Sequence, residues 1–349
     1  MAEERRAHAM MFPFPCSGHI NPTLKLAELL HSRGVHVTFV NTEHNHERLL
    51  RTGGARLAGR DGFRFESVPD GLDDADRASP DKTVRLYLSL RRSCGPPLVD
   101  LARRLGEQEG VPPVTCVVLS GLASFVLGVA EELGVPSFVI WGTSAVGFVC
   151  TLRLRQLTQR GYTPLKDESY LTNGNRPFLW VVRPGLVAGD RGMEALPADF
   201  LAETKGRRFI AEWCAQEQVL RHRAVGGFLT HSGWNSTTES IWAGVPMICA
   251  PGFADQYINS RYVCGEWGVG LRLDEQLRRE QVVAHIEELM GGGEKGEEMR
   301  RRAAEWKARA EAATAPGGSA YENLDKLVEE LRLEVPDGGA KLAKVTHAR

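Results

Sequence analysis

The chain has 349 residues, 42% of them hydrophobic and 25% charged, with a formal net charge of −1, which suits a globular protein of two domains and excludes a disordered or fibrous one. Near-neutral charge gives no electrostatic case for nucleic acid or an anionic membrane surface, and no apolar run reaches the length of a membrane span. The seven cysteines, Cys16, Cys94, Cys116, Cys150, Cys214, Cys249 and Cys264, stand singly with no CxxC pair, a pattern that fits reduced thiols and a cytoplasmic location better than a disulfide framework.

In chain order, residues 7–14 read as a strand, 21–33 as a helix, 35–41 and 63–68 as strands, and 83–105 as one long amphipathic helix region. Strand 114–119, helix 122–133 and strand 136–141 follow. This is the βαβ rhythm of a doubly wound parallel sheet. Between the first strand and helix lies Pro13-Phe14-Pro15-Cys16-Ser17-Gly18-His19-Ile20-Asn21-Pro22. An imidazole after a strand end suits a general base, because it titrates near neutral pH; a lone loop His is more often ordinary polar surface.

The second half repeats the rhythm with strands at 178–183, 208–213, 225–230, 246–251 and 269–273, and closes on helices at 279–290, 297–313 and 320–333. The heavily charged middle helix reads as a solvated face. Gly291-Gly292-Gly293-Glu294-Lys295-Gly296 matches GxGxxG, but it follows a helix rather than a strand and so reads as a helix–helix connection.

Strand 225–230, the turn His231-Ser232-Gly233 and a helix capped by Asn235 or Ser236 together form an anion site, since helix N-termini direct N–H groups and the positive dipole end at a ligand. Trp213 leaves the strand 208–213, and strand 246–251 leads to Asp255 and Gln256. Ligands of open α/β sheets bind beyond the carboxyl ends of strands, so these groups can meet at one crevice. Each residue alone has a plainer reading: Trp213 as core, Asn235 and Ser236 as helix caps, and Glu239 as a solvated helix residue.

The whole stretch WCAQEQVLRHRAVGGFLTHSGWNSTTESIWAGVPMICAPGFADQ, residues 213–256, resembles the donor-binding box of plant family 1 UDP-sugar glycosyltransferases. The resemblance implies an α/β fold of GT-B type, with two facing Rossmann-like doubly wound domains. It implies that Trp213 stacks on uracil, that Gln216 and Glu239 hold the ribose, and that His231, Asn235 and Ser236, around the turn at Gly233, hold the diphosphate. Trp234, Asp255 and Gln256 would contact the sugar, and Gln at the last position goes with glucose. His19 matches the family's general base. The implied partners are a UDP-sugar donor, with UDP-glucose as co-substrate, and a small-molecule acceptor such as a phenolic or terpenoid alcohol. No metal, other cofactor, nucleic acid or membrane span is expected.

The chain departs from the family at three places. Ser120 stands where the family has the Asp that supports the base; a hydroxyl can accept a hydrogen bond from imidazole but supplies no charge, and charge-assisted bonds are about twice as strong. Gly142 stands where many relatives have a Thr that reaches the sugar. The larger departure is at Gly174/Asn175, where relatives carry further acceptor-domain sequence, the linker and the first strand–turn–helix of the donor domain. That reading gives an incomplete acceptor-side domain over 1–174, a donor-binding domain over 175–315 lacking its first strand–helix unit, and a C-terminal helix and tail over 316–349. The missing strand belongs near the centre of the donor sheet, so its neighbours are expected to lack a partner. A UDP-sugar-binding remnant with impaired or no turnover, arising from a truncated gene model, a splice product or a pseudoenzyme, is the alternative to an active glucosyltransferase. A nicotinamide oxidoreductase also fits two βαβ domains but needs a GxGxxG turn that neither first βα connection has.

Overall fold

The apolar runs His-Ala-Met-Met-Phe, His-Val-Thr-Phe-Val-Asn-Thr and Cys-Val-Val-Leu-Ser are the kind that parallel strands require when both faces are covered. In the computed structural model, which describes residues 7–46, 57–79, 81–145, 176–181, 198–252, 254–274 and 278–333, they become β1 (His8–Phe12), β2 (His36–Thr42) and β4 (Cys116–Ser120), each buried throughout. With β3 (Phe63–Val68) and β5 (Ser137–Ile140) they form a five-stranded parallel sheet of order β3-β2-β1-β4-β5. The chain divides into two compact units, Met1–Gly142 with Ser319–Arg349, and Thr143–Gly318. The expected boundary at 174/175 lies outside the described residues.

Helix α1 (Ser17–Ser32) begins four residues before the expected start at Asn21. The Cys16 carbonyl accepts from both His19 N–H and Ile20 N–H at 2.9 Å, so the turn closes before the proline and His19 sits in a helical first turn, not in a loop. The short α2 (Asp74–Ala78) follows β3. The long helix expected over 83–105 is two helices, α3 (Lys82–Ser93) and α4 (Gly95–Gly106). Pro96 and Pro97 explain the break, since proline suits a helix's first turn and disfavours helix in the residue before it. Likewise the helix expected over 122–133 is a 3₁₀ segment, Gly121–Val126, followed by α5 (Leu127–Leu133).

Side chains alternate across the pleat. Met10, Phe12, Val117 and Leu119 face Leu90, Leu98, Leu105 and Val126 on one side of the sheet; Ala9, Met11, Val37, Phe39 and Val118 face Leu24, Ala27 and Leu30 on the other.

In the second unit, β6 (Phe178–Val181), α6 (Ala198–Glu203), β7 (Arg208–Ala211), α7 (Gln216–Leu220), β8 (Phe228–Thr230), α8 (Trp234–Ala243), β9 (Met247–Cys249), α9 (Gln256–Arg261), β10 (Gly270–Arg272), α10 (Arg279–Met290) and α11 (Glu294–Thr314) follow in order. A π-helical turn, Tyr262–Glu266, extends α9. The strands fall into two separate parallel sheets, β10-β9-β8 and β6-β7. Among the described residues no strand joins β6 to β8. The core beside the three-stranded sheet holds Ile248, Leu271, Val282, Leu289 and Met299, with a second cluster of Met247, Cys249, Val263, Val269 and Ala303. Helix α11 keeps the expected charged exterior, with Glu298 paired to Arg301 and Arg302, while Met299 and Ala303 are buried. Gly291–Gly293 connects α10 to α11.

The last helix, α12 (Ser319–Leu333), belongs to the first unit. Val328 and Leu331 join the α1 side of its core, Asp325 accepts from Arg33 Nε at 2.7 Å, and Arg332 donates to the Arg33 carbonyl at 2.8 Å.

Candidate functional site

The C-terminal edge of the first sheet presents His19 and Ser120. His19 is half-buried, and its ring meets Phe14 edge-on with centroids 6.0 Å apart. Burial alone moves its pKa below the ordinary imidazole value, since desolvation disfavours the charged form. Ser120 is 1% exposed, and its Oγ accepts from the Phe14 N–H at 2.7 Å. Among the described residues no hydrogen bond joins His19 to Ser120. The hydroxyl expected to accept from the imidazole instead ties the β1–α1 connection to β4. Among the described residues this edge offers an imidazole whose charged form burial disfavours, with no carboxylate hydrogen-bonded to it.

In the second unit the chain leaves β7 at Ala211, two residues before Trp213. Trp213 is 71% exposed, so the core reading fails and a flat aromatic face is left for a planar ligand. Gln216 opens α7, and its Nε2 donates to Glu239 Oε2 at 2.8 Å and to Ser236 Oγ at 3.1 Å. Residues of two helices, Gln216 of α7 with Ser236 and Glu239 of α8, thus meet over the first two turns of α8.

That start differs from expectation. Gly233 is the N-cap, with no side-chain cap bond, and Asn235 and Ser236 lie within the first turn. A Cβ at position 233 would press on the His231 ring, so a larger residue there would displace that imidazole. Gly244 ends the helix at φ 74, a left-handed C-cap that only glycine adopts without cost. First-turn N–H groups lack intrahelical acceptors, and the dipole adds roughly half a positive charge at this end. A diphosphate suits such a place.

The chain leaves β9 into the loop that carries Asp255, the N-cap of α9. Gln256 is 4% exposed, and its Oε1 accepts from the Gly252 N–H at 2.8 Å. Asp255 Oδ2 accepts from Asn259 Nδ2 at 2.9 Å. Trp234 packs near Trp267, with ring centroids 6.5 Å apart. Ser232 and Ala254, the non-glycine residues of positive φ among those described, lie in the two loops that follow β8 and β9. Such conformations cost about 1–3 kcal/mol each and collect at ligand-binding loops.

The structure therefore brings Gln216, Ser236 and Glu239 together, and sets His231, Gly233, Trp234 and Asn235 around one helix start. His19 and Ser120 belong to the other unit. Asn259 was not legible in the sequence, where it reads as one more polar helix residue; its only signal is the spacing of four from Asp255. Among the described residues no group of His, Cys, Asp and Glu could hold a metal ion, and no helix is long and apolar enough to cross a membrane.

Residues 177–301 match the family described as UDP-glucoronosyl and UDP-glucosyl transferase. UDP-glycosyltransferase 85A7 of Arabidopsis thaliana is 33% identical over 477 aligned residues, covering 95% of this chain and 98% of that protein. The (R)-mandelonitrile beta-glucosyltransferase of Prunus dulcis is 32% identical, with 97% and 99% covered, and the 7-deoxyloganetin glucosyltransferase of Gardenia jasminoides 35% identical, with 93% and 97% covered. The 477 aligned residues exceed the 349 of this chain, so the alignment includes stretches that this chain lacks. Among solved structures, Os79 from O. sativa, in complex with U2F and trichothecene, superposes with a TM-score of 0.74 at 22% identity, over 93% of this chain and all of that one. A UDP-glucose: anthocyanidin 3-O-glucosyltransferase in complex with UDP gives 0.74 at 21% identity, over 94% and 99%. The fold is thus that of the GT-B glycosyltransferases, and the chain belongs to the plant family 1 UDP-glycosyltransferases.

Proposed function

We propose that this chain transfers glucose from UDP-glucose to a hydroxyl of a small molecule, with inversion, without a metal or organic cofactor and in the cytoplasm. The observation that carries the reading is the Gln216–Ser236–Glu239 cluster over the first two turns of α8. Glu239 and Gln216 supply the acceptor and donor that ribose hydroxyls need, the first turn of α8 suits the diphosphate, and the exposed Trp213 ring suits uracil. Asp255 and Gln256 would meet the glucose. His19 removes the acceptor proton as the oxygen attacks the anomeric carbon from the face opposite UDP; the bond from that carbon to the diphosphate oxygen breaks, and UDP leaves. The relatives named for (R)-mandelonitrile and 7-deoxyloganetin support a small alcohol as acceptor. Free cysteines among the described residues accord with a reducing compartment.

A second reading, a UDP-sugar-binding remnant with weak or no turnover, draws on Ser120. Ser120 carries no charge, its Oγ accepts from the Phe14 N–H, and among the described residues it makes no hydrogen bond to the His19 ring whose imidazolium it would have to stabilise. The internal deletion placed at Gly174/Asn175 accords with it, through the separation of β6-β7 from β8-β9-β10. Calorimetry with UDP, UDP-glucose and NAD, paired with glucose transfer to a panel of phenols and terpenoid alcohols, tests both. Tighter NAD than UDP binding would end the glycosyltransferase reading. UDP-glucose binding without transfer selects the remnant, and transfer gained in Ser120→Asp but absent from Ser120→Asp with His19→Ala would identify the missing charge as the defect.

A further inference from the structure

Asn259 is 2% exposed and sits one helical turn after Asp255, yet its side chain reaches beyond its own helix. Nδ2 donates to the Ser232 carbonyl at 3.0 Å and to Asp255 Oδ2 at 2.9 Å, and Oδ1 accepts from Ser144 Oγ at 3.3 Å. Both amide hydrogens are therefore engaged. A flipped amide would set its oxygen against two acceptors, so the partners fix its orientation.

The two groups it joins come from different loops. Ser232 belongs to the turn between β8 and α8 and holds φ 62, a conformation that persists only when the surroundings impose it. Its N–H donates to Thr230 Oγ1 at 3.1 Å, and its carbonyl is the one Asn259 holds. Asp255 follows β9 and caps α9. A donor that places its diphosphate at the α8 turn and its sugar at Asp255 spans both loops, so their separation sets whether one molecule can satisfy both.

We infer that Asn259 is a positioning residue of the donor site, which fixes the diphosphate turn at Ser232 against the sugar-side carboxylate of Asp255. The inference rests on the UDP-glucose reading above. It assigns to Asn259 no contact with the donor; the residue acts through the turn it holds and the carboxylate it orients. UDP meets only the turn, whereas UDP-glucose meets both loops, so losing the tie weakens UDP-glucose more than UDP.

Two variants and two measurements test this. Asn259→Ala removes the tie, and Asn259→Asp keeps the shape while setting a carboxylate against the Ser232 carbonyl and Asp255. Hydrogen–deuterium exchange, which needs no ligand, should speed up in residues 230–236 of both variants and stay unchanged in α11. Calorimetry should show UDP-glucose affinity falling about ten-fold and UDP affinity by less than about three-fold, the scale expected for one or two hydrogen bonds. Unchanged exchange at the turn in a folded Asn259→Ala protein overturns the tie. Faster exchange with equal losses for UDP and UDP-glucose overturns the positioning role and leaves a merely structural one. Wild-type protein that binds neither nucleotide defeats the donor reading and the positioning role with it, while the exchange experiment still decides whether Asn259 holds the turn.

Discussion

In the first unit β1, β2 and β4 are buried along their entire length, whereas β6, β7 and β8 of the second unit are only partly covered. The sequences do not foretell this: Phe-Leu-Trp-Val and Arg-Phe-Ile-Ala are as strand-prone as His-Ala-Met-Met-Phe. What differs is the company each strand keeps. The five-stranded sheet has helices on both faces and partners on both sides of its three inner strands. The second unit splits its strands into a pair and a triple, leaving Phe209 69% and Leu179 39% exposed. Burial is thus a property of the assembled sheet, and a strand that loses its neighbour loses its cover.

The largest effect that sharpens this contrast comes from truncating an interior aromatic. Phe39 is fully buried beside Phe65, with ring centroids 5.8 Å apart, and Phe39→Ala should cost about 3–5 kcal/mol in urea unfolding followed in the first unit.

Acid should attack the same unit next. His8 is fully buried in β1, donates from Nδ1 to the Pro112 carbonyl at 2.7 Å and accepts at Nε2 from Thr38 Oγ1 at 2.8 Å. Burial, with the nearby charges of His36 and Arg64, lowers its pKa from 6.5 to about 4 against the opposing pull of the Pro112 carbonyl. Between these values the unfolded chain binds a proton that the folded chain refuses, so stability falls as pH falls through the window. The loss should approach about 3 kcal/mol near pH 4. Unfolding free energies from pH 7 to 4 should be flatter for a folded His8→Gln variant; an unchanged slope would mean other groups carry the acid sensitivity.

In the second unit, exposure should separate function from stability. Trp213→Ala should weaken UDP by about 1–3 kcal/mol, the range for a base stacked on an aromatic ring, with the melting temperature unchanged because the ring is outside the core. The acidic limb of any transfer activity should lie below the ordinary imidazole range, because burial lowers the His19 pKa and the base must be unprotonated; a limb above that range would point to another base. Smallest of all, Phe209→Ser should change stability by no more than about 0.5 kcal/mol while reducing self-association in sedimentation, since the exposed ring lies on a strand that a complete sheet would cover. A cost of several kcal/mol there would show that the face is covered in solution and would break the comparison.

The sequence by itself determined the parallel α/β architecture, through apolar runs alternating with amphipathic helices, and pointed to the proposed donor-site residues, because short-range order places a turn and a helix start after a strand whatever surrounds them. It also placed His19, the proposed base, just after β1, though not its helical setting, which depended on the Cys16 carbonyl capturing two N–H groups ahead of Pro22. Tertiary structure alone decided the rest. Trp213, two residues past the end of β7, is exposed rather than core. Ser120 Oγ accepts from the Phe14 N–H, a pairing between positions 106 residues apart, and among the described residues makes no hydrogen bond to His19. Asn259 became a bridge because folding brought a strained turn and a carboxylate within reach of one amide. Each of these depends on distance in space between groups far apart in the chain, which residue type and periodicity do not encode.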